Sequence, residues 1–241
     1  MIHTDEFASK RFSVAASLGV LAKVAATEMQ VKAVLFDLDG VLVHSPLDLQ
    51  AIKLELFGDP SIFLIEGLES YPEDEKIEKE KILRARELEA AEKASLDLFV
   101  PELFKWLEEK NIKRGVITRN CRDVVDVIRR KFSIDLGVVI AREDAPPKPD
   151  PACIYAACRL LDLNANECVM VGDYQFDIDA GNRAGCRTVF LETDEFRHLL
   201  PDATARIKNL SELVCLLESW ISIPAEKRGQ GDSDLFNLIC I

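Results

Sequence analysis

Two aspartates and a glycine directly follow the first strongly apolar segment of the chain. Asp37 and Asp39 are two positions apart, and Gly40 comes next, after the apolar residues 31–36. One carboxylate at such a position can attack phosphorus as a nucleophile, and the other can donate and accept a proton. A glycine permits a tight turn, so that backbone N–H groups can face a bound anion. These residues are typical of phosphoryl-group chemistry.

Further polar side chains lie at, or just beyond, the ends of three later apolar segments. They are Thr118, Arg119, Asn120, Lys148, Asp173 and Asp177. Several carboxylates in one pocket repel each other unless a cation joins them. Oxygen ligands with no cysteine or histidine beside them favour Mg²⁺ over zinc. Thr118 and Lys148 would supply a hydroxyl group and a positive charge to phosphoryl oxygens.

The elements that must position these residues alternate regularly between strand and helix. Strands are predicted at residues 31–36, 114–118, 137–141, 168–172 and 187–191. Helices are predicted at residues 101–110, 121–132, 178–184 and 211–220, with another from the proline-rich loop 146–151 to residue 161. This alternation predicts an α/β fold, a doubly wound parallel sheet with helices on both faces. The carboxyl ends of its strands then share one edge, where ligands bind.

The chain divides into four predicted parts. They are an N-terminal extension at 1–30, an α/β core at 31–44 and 96–223, a small helical cap at 45–95, and a C-terminal tail at 224–241. The cap is expected to hold two helices. The second, within the charged run 73–93, has only Ile77, Leu83 and Leu88 as a thin apolar stripe, so it is predicted to be solvated.

The net charge and cysteine content of the chain argue against some classes of partner and indicate a location. Lys and Arg number 30 and Asp and Glu 42, which gives a net charge of −12 and argues against partners such as nucleic acid or an anionic membrane. Seven cysteines without a C-x-x-C pair indicate reduced thiols and a cytoplasmic location. Lys10 and Arg11 precede an apolar stretch, which leaves an organelle-targeting segment as the alternative.

Four short motifs in order resemble those of the haloacid-dehalogenase superfamily of hydrolases. The motifs are Asp37-Leu-Asp-Gly-Val-Leu42, Val116-Ile-Thr118, Lys148-Pro-Asp-Pro151 and Gly172-Asp-Tyr-Gln-Phe-Asp177. The resemblance covers residues 31–191, and the block 172–189 is similar to the phosphoglycolate-phosphatase-like branch.

This resemblance implies a Rossmann-like core with a helical cap, and it implies a role for each motif residue. Asp37 would be the nucleophile and Asp39 the acid and base, and Asp39 favours phosphate chemistry over dehalogenation. Mg²⁺ would be held by the Asp37 side chain, the Asp39 carbonyl and Asp173. Thr118 and Lys148 would stabilise the phosphoryl group. The residues themselves add Gly40, Arg119 and Asn120 as phosphate-binding candidates, and a solvated Arg119 is the alternative. Asp177 would support the metal or Lys148, although an aspartate there could also cap the following helix.

Three functions are compatible with these residues. The first is a magnesium-dependent phosphatase acting on a small phosphorylated metabolite through an aspartyl-phosphate on Asp37. The second is a phosphomutase of the same fold, against which the thin charged cap argues. The third is a non-catalytic binding protein, against which the intact nucleophile argues. The sequence predicts neither the particular substrate nor the oligomeric state.

Overall fold

The structure, a computed structural model, describes residues 31–196, 198–199 and 201–222. Its strands are β1 Ala33–Phe36, β2 Val43–His44, β3 Ser95–Leu96, β4 Lys113–Ile117, β5 Val138–Ile140, β6 Cys168–Gly172, β7 Arg187–Leu191 and β8 Ala205–Ile207. Six of them form one parallel sheet in the order β5-β4-β1-β6-β7-β8. The predicted doubly wound parallel sheet is therefore confirmed.

Eight α-helices connect these strands within the described residues. They are α1 Leu49–Phe57, α2 Leu64–Leu68, α3 Glu73–Lys93, α4 Val100–Glu109, α5 Arg122–Phe132, α6 Ala152–Leu161, α7 Gln175–Ala184 and α8 Leu210–Ser222. Helix α7 begins three residues before the predicted start at 178. Strand β8 was not predicted, because three residues are too few to show an alternating pattern.

The central strand β1 packs on both faces. Val34 and Phe36 belong to one buried cluster, which also contains residues of α4, α5 and α8. Ala33 and Leu35 belong to a second cluster with residues of α6 and α7. Since successive strand side chains point to opposite faces, this partition shows that helices cover both sides of the sheet.

We call residues 45–95 the helical insert. The chain leaves the core for this insert and returns from it at the same place. Strands β2 and β3 pair antiparallel, with Val43 opposite Leu96 and His44 opposite Ser95. Between them the insert contains three helices, not the two expected. Helix α2 was missed because its five residues include a glycine and are too few to show a helical period.

Helix α3 is not the solvated helix that its charge predicted. Ile77 is 42% exposed, but four residues further along the helix are buried: Leu83, Glu87, Ala90 and Ala91. Alanines allow close packing while adding little to an apolar stripe, and the Glu87 carboxylate forms an ion pair with Arg142. A glutamate in a charged run gives no sign of such a partner.

No helix in the described part of the chain combines the length and apolar character needed to cross a bilayer. The predictions for residues 1–30 and 224–241 concern parts of the chain outside the described residues.

Candidate active site

The carboxyl ends of β1, β4 and β6 lie side by side. Phe36, the last residue of β1, pairs with Val116 of β4 and with Val171 of β6. Beyond the strand end, the Asp37 N–H donates to the Val171 carbonyl over 2.9 Å. The loops that follow these three strands therefore start from one edge of the sheet, although they are far apart in sequence.

Lys148 is buried at the centre of this edge, with 2% of its side chain exposed. Its Nζ donates to Asp37 Oδ1 over 2.5 Å and to the Ile117 carbonyl over 2.7 Å, and it lies 2.6 Å from Asp177 Oδ1. Burial alone would lower the pKa of Lys148, but the carboxylates of Asp177 and Asp37 raise it above its ordinary value. The side chain therefore stays cationic inside the protein.

Three carboxylates meet beside this lysine. Asp37, Asp173 and Asp177 each offer an oxygen within 4.8 Å of the others. Burial, followed by the charges of Asp37 and Asp177, raises the pKa of Asp173 to about 9. Burial also raises the pKa of Asp37 to about 7, although Lys148 opposes this shift. A buried set of oxygen donors that repel each other fits a hard divalent cation such as Mg²⁺.

Two glycines make room for these carboxylates. At Gly40, where φ is +79°, an added Cβ would lie 2.8 Å from the carboxyl carbon of Asp173. At Gly172, an added Cβ would overlap the Asp177 side chain. The Gly40 N–H donates to the Val43 carbonyl over 2.8 Å. It is therefore not free, in this structure, to donate to a phosphoryl oxygen. In the structure, Gly40 lets Asp173 approach the first loop.

Asp39 is held by two side chains. Ser45 Oγ donates to Asp39 Oδ1 over 2.5 Å, and Asn120 Nδ2 donates to Asp39 Oδ2. Burial raises the pKa of Asp39, and these two hydrogen bonds oppose that rise. Asn120 thus orients this carboxylate, and its phosphate contact stays a prediction. Ser45 had no predicted role, because a serine six residues after Asp39 carries no local signal.

Thr118 is a buried residue that lines the same cavity. Its backbone N–H donates to the Ile140 carbonyl over 3.0 Å, and its Oγ1 accepts from the Asn120 N–H over 3.1 Å. The hydroxyl hydrogen therefore remains available for another acceptor.

Arg119 contacts the helical insert instead of presenting a free charge to the cavity. Its NH2 group donates to both carboxylate oxygens of Glu66 in α2, over 2.9 and 2.8 Å. Its NH1 group donates to the Lys148 carbonyl, and its guanidinium carbon lies 4.8 Å from the Phe176 ring centroid. Arg119 thus joins core and insert, and its phosphate contact stays a prediction. Sequence reasoning missed Glu66, which lies 53 positions away.

Asp177 contacts Lys148, as its position suggested, but it is the third residue of α7 and not the N-cap, which is Tyr174. Its Oδ1 faces Lys148, and its Oδ2 accepts from the Tyr174 N–H over 3.0 Å, at the start of α7. Asp177 therefore orients Lys148 directly, and it also belongs to the group of three carboxylates that could hold a cation.

All these groups line a cavity of about 650 Å³ between the strand ends and the helical insert. Away from the carboxylates, its lining includes apolar and aromatic side chains as well as polar ones, which the sequence did not indicate, because the rings come from separate segments. The apolar and aromatic residues include Phe63, Leu64 and Ile65 of the insert and Tyr174, Phe176 and Phe196 of the core.

Comparison with known proteins defines the class to which this fold and cavity belong. Residues 48–191 match the family described as haloacid dehalogenase-like hydrolase, a span that begins after Asp37 and Asp39. The chain is 30% identical over 210 residues to a haloacid dehalogenase-like hydrolase domain-containing protein of Arabidopsis thaliana, covering 79% of this chain and 85% of that protein. The chain therefore belongs to the haloacid dehalogenase-like hydrolase family, and the resemblance of the four motifs is confirmed.

Two further relatives show how widely the similarity extends. A pyrophosphatase of Bacillus velezensis is 27% identical over 183 residues, which cover 67% of this chain and 83% of the relative. The crystal structure of a predicted phosphoglycolate phosphatase from Haemophilus somnus superimposes with a TM-score of 0.61 at 22% identity, covering 79% of this chain and 99% of that one. The second comparison bears on the fold alone.

Proposed function

We propose that this hydrolase is a magnesium-dependent phosphatase that cleaves a small-molecule phosphate monoester through an aspartyl-phosphate on Asp37. The observation that carries the proposal is the placement of Asp37 in the cavity, 2.5 Å from the buried Lys148 Nζ and beside the carboxylates of Asp173 and Asp177. A nucleophile, a fixed cation and a cluster of oxygen ligands are the components that phosphoryl transfer requires.

The reaction would have two steps. A carboxylate oxygen of Asp37 forms a bond to phosphorus while the bond to the leaving oxygen breaks, and Asp39 donates its proton to that oxygen. Asp39 then takes a proton from water, whose oxygen attacks the same phosphorus, so that inorganic phosphate leaves and Asp37 is restored. Ser45 and Asn120 hold Asp39 in one orientation for both proton transfers.

The charges around the phosphoryl group come from a few residues. Mg²⁺ would be held by the side chains of Asp37 and Asp173 and by the Asp39 carbonyl; when bound, it supplies positive charge that offsets the phosphoryl oxygens. Lys148 adds a fixed cation, which Asp177 orients, and the Thr118 hydroxyl donates to a phosphoryl oxygen.

The helical insert would act as a cap, because it forms one wall of the cavity and contacts the core through Glu66 and Arg119. The name of the pyrophosphatase relative supports a small phosphorylated substrate. The division into core and cap and the cytoplasmic location stay predictions.

Phosphate release from p-nitrophenyl phosphate and a panel of metabolite monoesters, with and without Mg²⁺, tests the proposal. We expect Mg²⁺-dependent release that Asp37→Asn reduces by at least about 10³-fold. The matched control is Asp126→Asn, which changes an exposed aspartate of α5 and should retain wild-type rates. Full activity in Asp37→Asn would refute the covalent mechanism.

The two other candidate functions give different results in the same assay. A phosphomutase would convert a sugar phosphate into its isomer and release little phosphate. A binding protein would release none, and its ligand affinity would not depend on the nucleophile.

A further inference from the structure

The cavity is larger than the chemistry at its inner end requires. Its volume of about 650 Å³ lies within the range of roughly 300–1,000 Å³ that is common for cofactor-sized and drug-sized ligands. Asp37, Asp173, Asp177 and Lys148 are grouped at one end, whereas the rest of the lining is mainly apolar and aromatic, with the charged side chains of Asp48, Lys53 and Glu195 among it. A two-carbon phosphate ester would leave that apolar surface in contact with water, which is unfavourable.

Four aromatic rings, which we call the aromatic rim, lie in this mainly apolar part of the lining: Phe63, Tyr174, Phe176 and Phe196. The ring centroids of Phe63 and Phe176 are 5.2 Å apart, and Tyr174 lies 5.0 Å from both Phe176 and Phe196. Phe63 belongs to the insert and is 46% exposed. Linked rings with open surface on a cavity wall are suited to packing against a planar group of a ligand.

The positively charged side chains that line the cavity differ in whether a carboxylate is paired with them. Of the three lysine and arginine side chains that line the cavity, Lys148 is bound by carboxylates and Arg119 by Glu66. Lys53 has no salt bridge among the described residues, and its Nζ lies 5.5 Å from the Phe63 ring centroid. A cation without a carboxylate partner, next to exposed rings, can bind an anionic substituent of a ligand.

We propose that the cavity selects phosphate monoesters whose leaving group carries a planar ring and a second negative charge. The ring packs against the open surface of the Phe63–Phe176 pair, and the charge binds Lys53. Lys53 and Phe63 are specificity-determining residues, and both belong to the insert, while the core supplies the chemistry. This inference rests on the proposed phosphatase function and names its substrate class.

Pairs of matched substrates test the preference for a ring and the preference for a second charge separately. Benzyl phosphate and ethyl phosphate both release a primary alcohol, so their intrinsic reactivities are similar and the ring is the main difference. We expect wild-type kcat/KM to be at least about tenfold higher for benzyl phosphate. Phe63→Ala should reduce the benzyl-to-ethyl ratio about fivefold, because it removes one ring of the packing pair.

The second charge is tested with 3-carboxybenzyl phosphate and its neutral isostere, 3-carbamoylbenzyl phosphate. Wild type should prefer the carboxylate about fivefold or more in kcat/KM, and Lys53→Gln should abolish that preference. Lys81→Gln is the matched control, since Lys81 lies on the insert, is largely exposed and is paired with Glu78; it should keep the preference.

The possible results distinguish this inference from the function on which it rests. If ethyl phosphate is hydrolysed as well as benzyl phosphate, or if Lys53→Gln keeps the carboxylate preference, the substrate class is wrong although the phosphatase function stands. If wild type hydrolyses p-nitrophenyl phosphate or a metabolite monoester but none of the four esters, the substrate class is wrong and the phosphatase function stands. If it releases phosphate from none of these compounds, the phosphatase function fails and the inference fails with it. Thermal unfolding of each variant excludes misfolding as the cause of a lost preference.

Discussion

At the scale of single residues, Lys148 determines much of the electrostatics of the cavity. It is the only lysine among the described residues whose side chain is almost wholly inside the protein, and it lies between Asp37 and Asp177. Removing one partner of a buried ion pair is costly, because the remaining charge keeps its desolvation penalty. The same lysine would neutralise the phosphoryl group, so its loss should affect both folding and turnover.

Lys148→Met tests this dual role. We expect its free energy of unfolding at neutral pH, without Mg²⁺, to fall by about 3 kcal/mol, since Asp37 and Asp177 lose their shared cation. Urea unfolding monitored by circular dichroism measures the change. Lys105→Met, which removes a largely exposed lysine of α4, should stay within about 0.5 kcal/mol of wild type. Equal stability of the two variants would contradict the assigned electrostatics.

Asp173 gives a pH-dependent prediction. Without a cation, its pKa of about 9 keeps the carboxyl group protonated at neutral pH. A divalent cation needs the ionised form, so its binding must release that proton and must strengthen as the pH rises. Adding Mg²⁺ at a fixed, saturating concentration should raise the unfolding midpoint. We expect this Mg²⁺-induced rise to grow by about 3 °C for each pH unit between roughly pH 6.5 and 8.5.

Differential scanning fluorimetry measures this increment, and Asp173→Asn should remove most of it. An increment that is constant or that decreases over the same pH range would show that Asp173 is not a ligand of the bound cation.

At the scale of secondary-structure elements, α3 is attached to the core by one buried ion pair. Arg142 follows β5, and it donates to both carboxylate oxygens of Glu87 over 2.7 and 3.2 Å. Only 4% of the Glu87 side chain is exposed. Burial raises the pKa of Glu87, and Arg142 opposes this rise. The pair fixes the helix that carries one side of the insert against the loops around the cavity.

Two glutamates on the same helix provide a matched comparison. Glu87→Ala should lower the free energy of unfolding by about 3 kcal/mol, because Arg142 is left buried without its partner. Glu89→Ala, which removes a 56% exposed side chain, should cost less than about 0.5 kcal/mol. Chemical denaturation of both variants at neutral pH measures the difference. Similar values would mean that the Glu87–Arg142 pair does not stabilise the docking of α3.

At the scale of the whole molecule, the sequence was sufficient to predict the sheet and the inner end of the cavity. Asp37, Thr118 and Asp173 each come directly after an apolar strand, and parallel strands end at one edge. Local pattern and a general rule of topology therefore located these residues together, without any knowledge of side-chain contacts.

The rest depends on how the insert packs against the core, which no local pattern encodes. Glu66 reaches Arg119 across 53 positions, and Glu87 reaches Arg142 across 55. These partners look like ordinary solvated charges in the sequence. The aromatic rim is likewise assembled from three separate segments. The sequence was therefore sufficient to predict the type of reaction but not the substrate selectivity.

The central claim is that Asp37 carries the phosphoryl group during turnover. Asp39→Asn is the most informative variant for measuring it, because loss of the base slows hydrolysis of the intermediate but still permits its formation from a substrate with a good leaving group. The measurement is mass spectrometry of this variant, quenched in acid after mixing with p-nitrophenyl phosphate and Mg²⁺. We predict a mass increase of one phosphoryl group, located on the peptide that contains Asp37 and lost in Asp37→Asn/Asp39→Asn. A phosphoryl group on another residue would contradict the account.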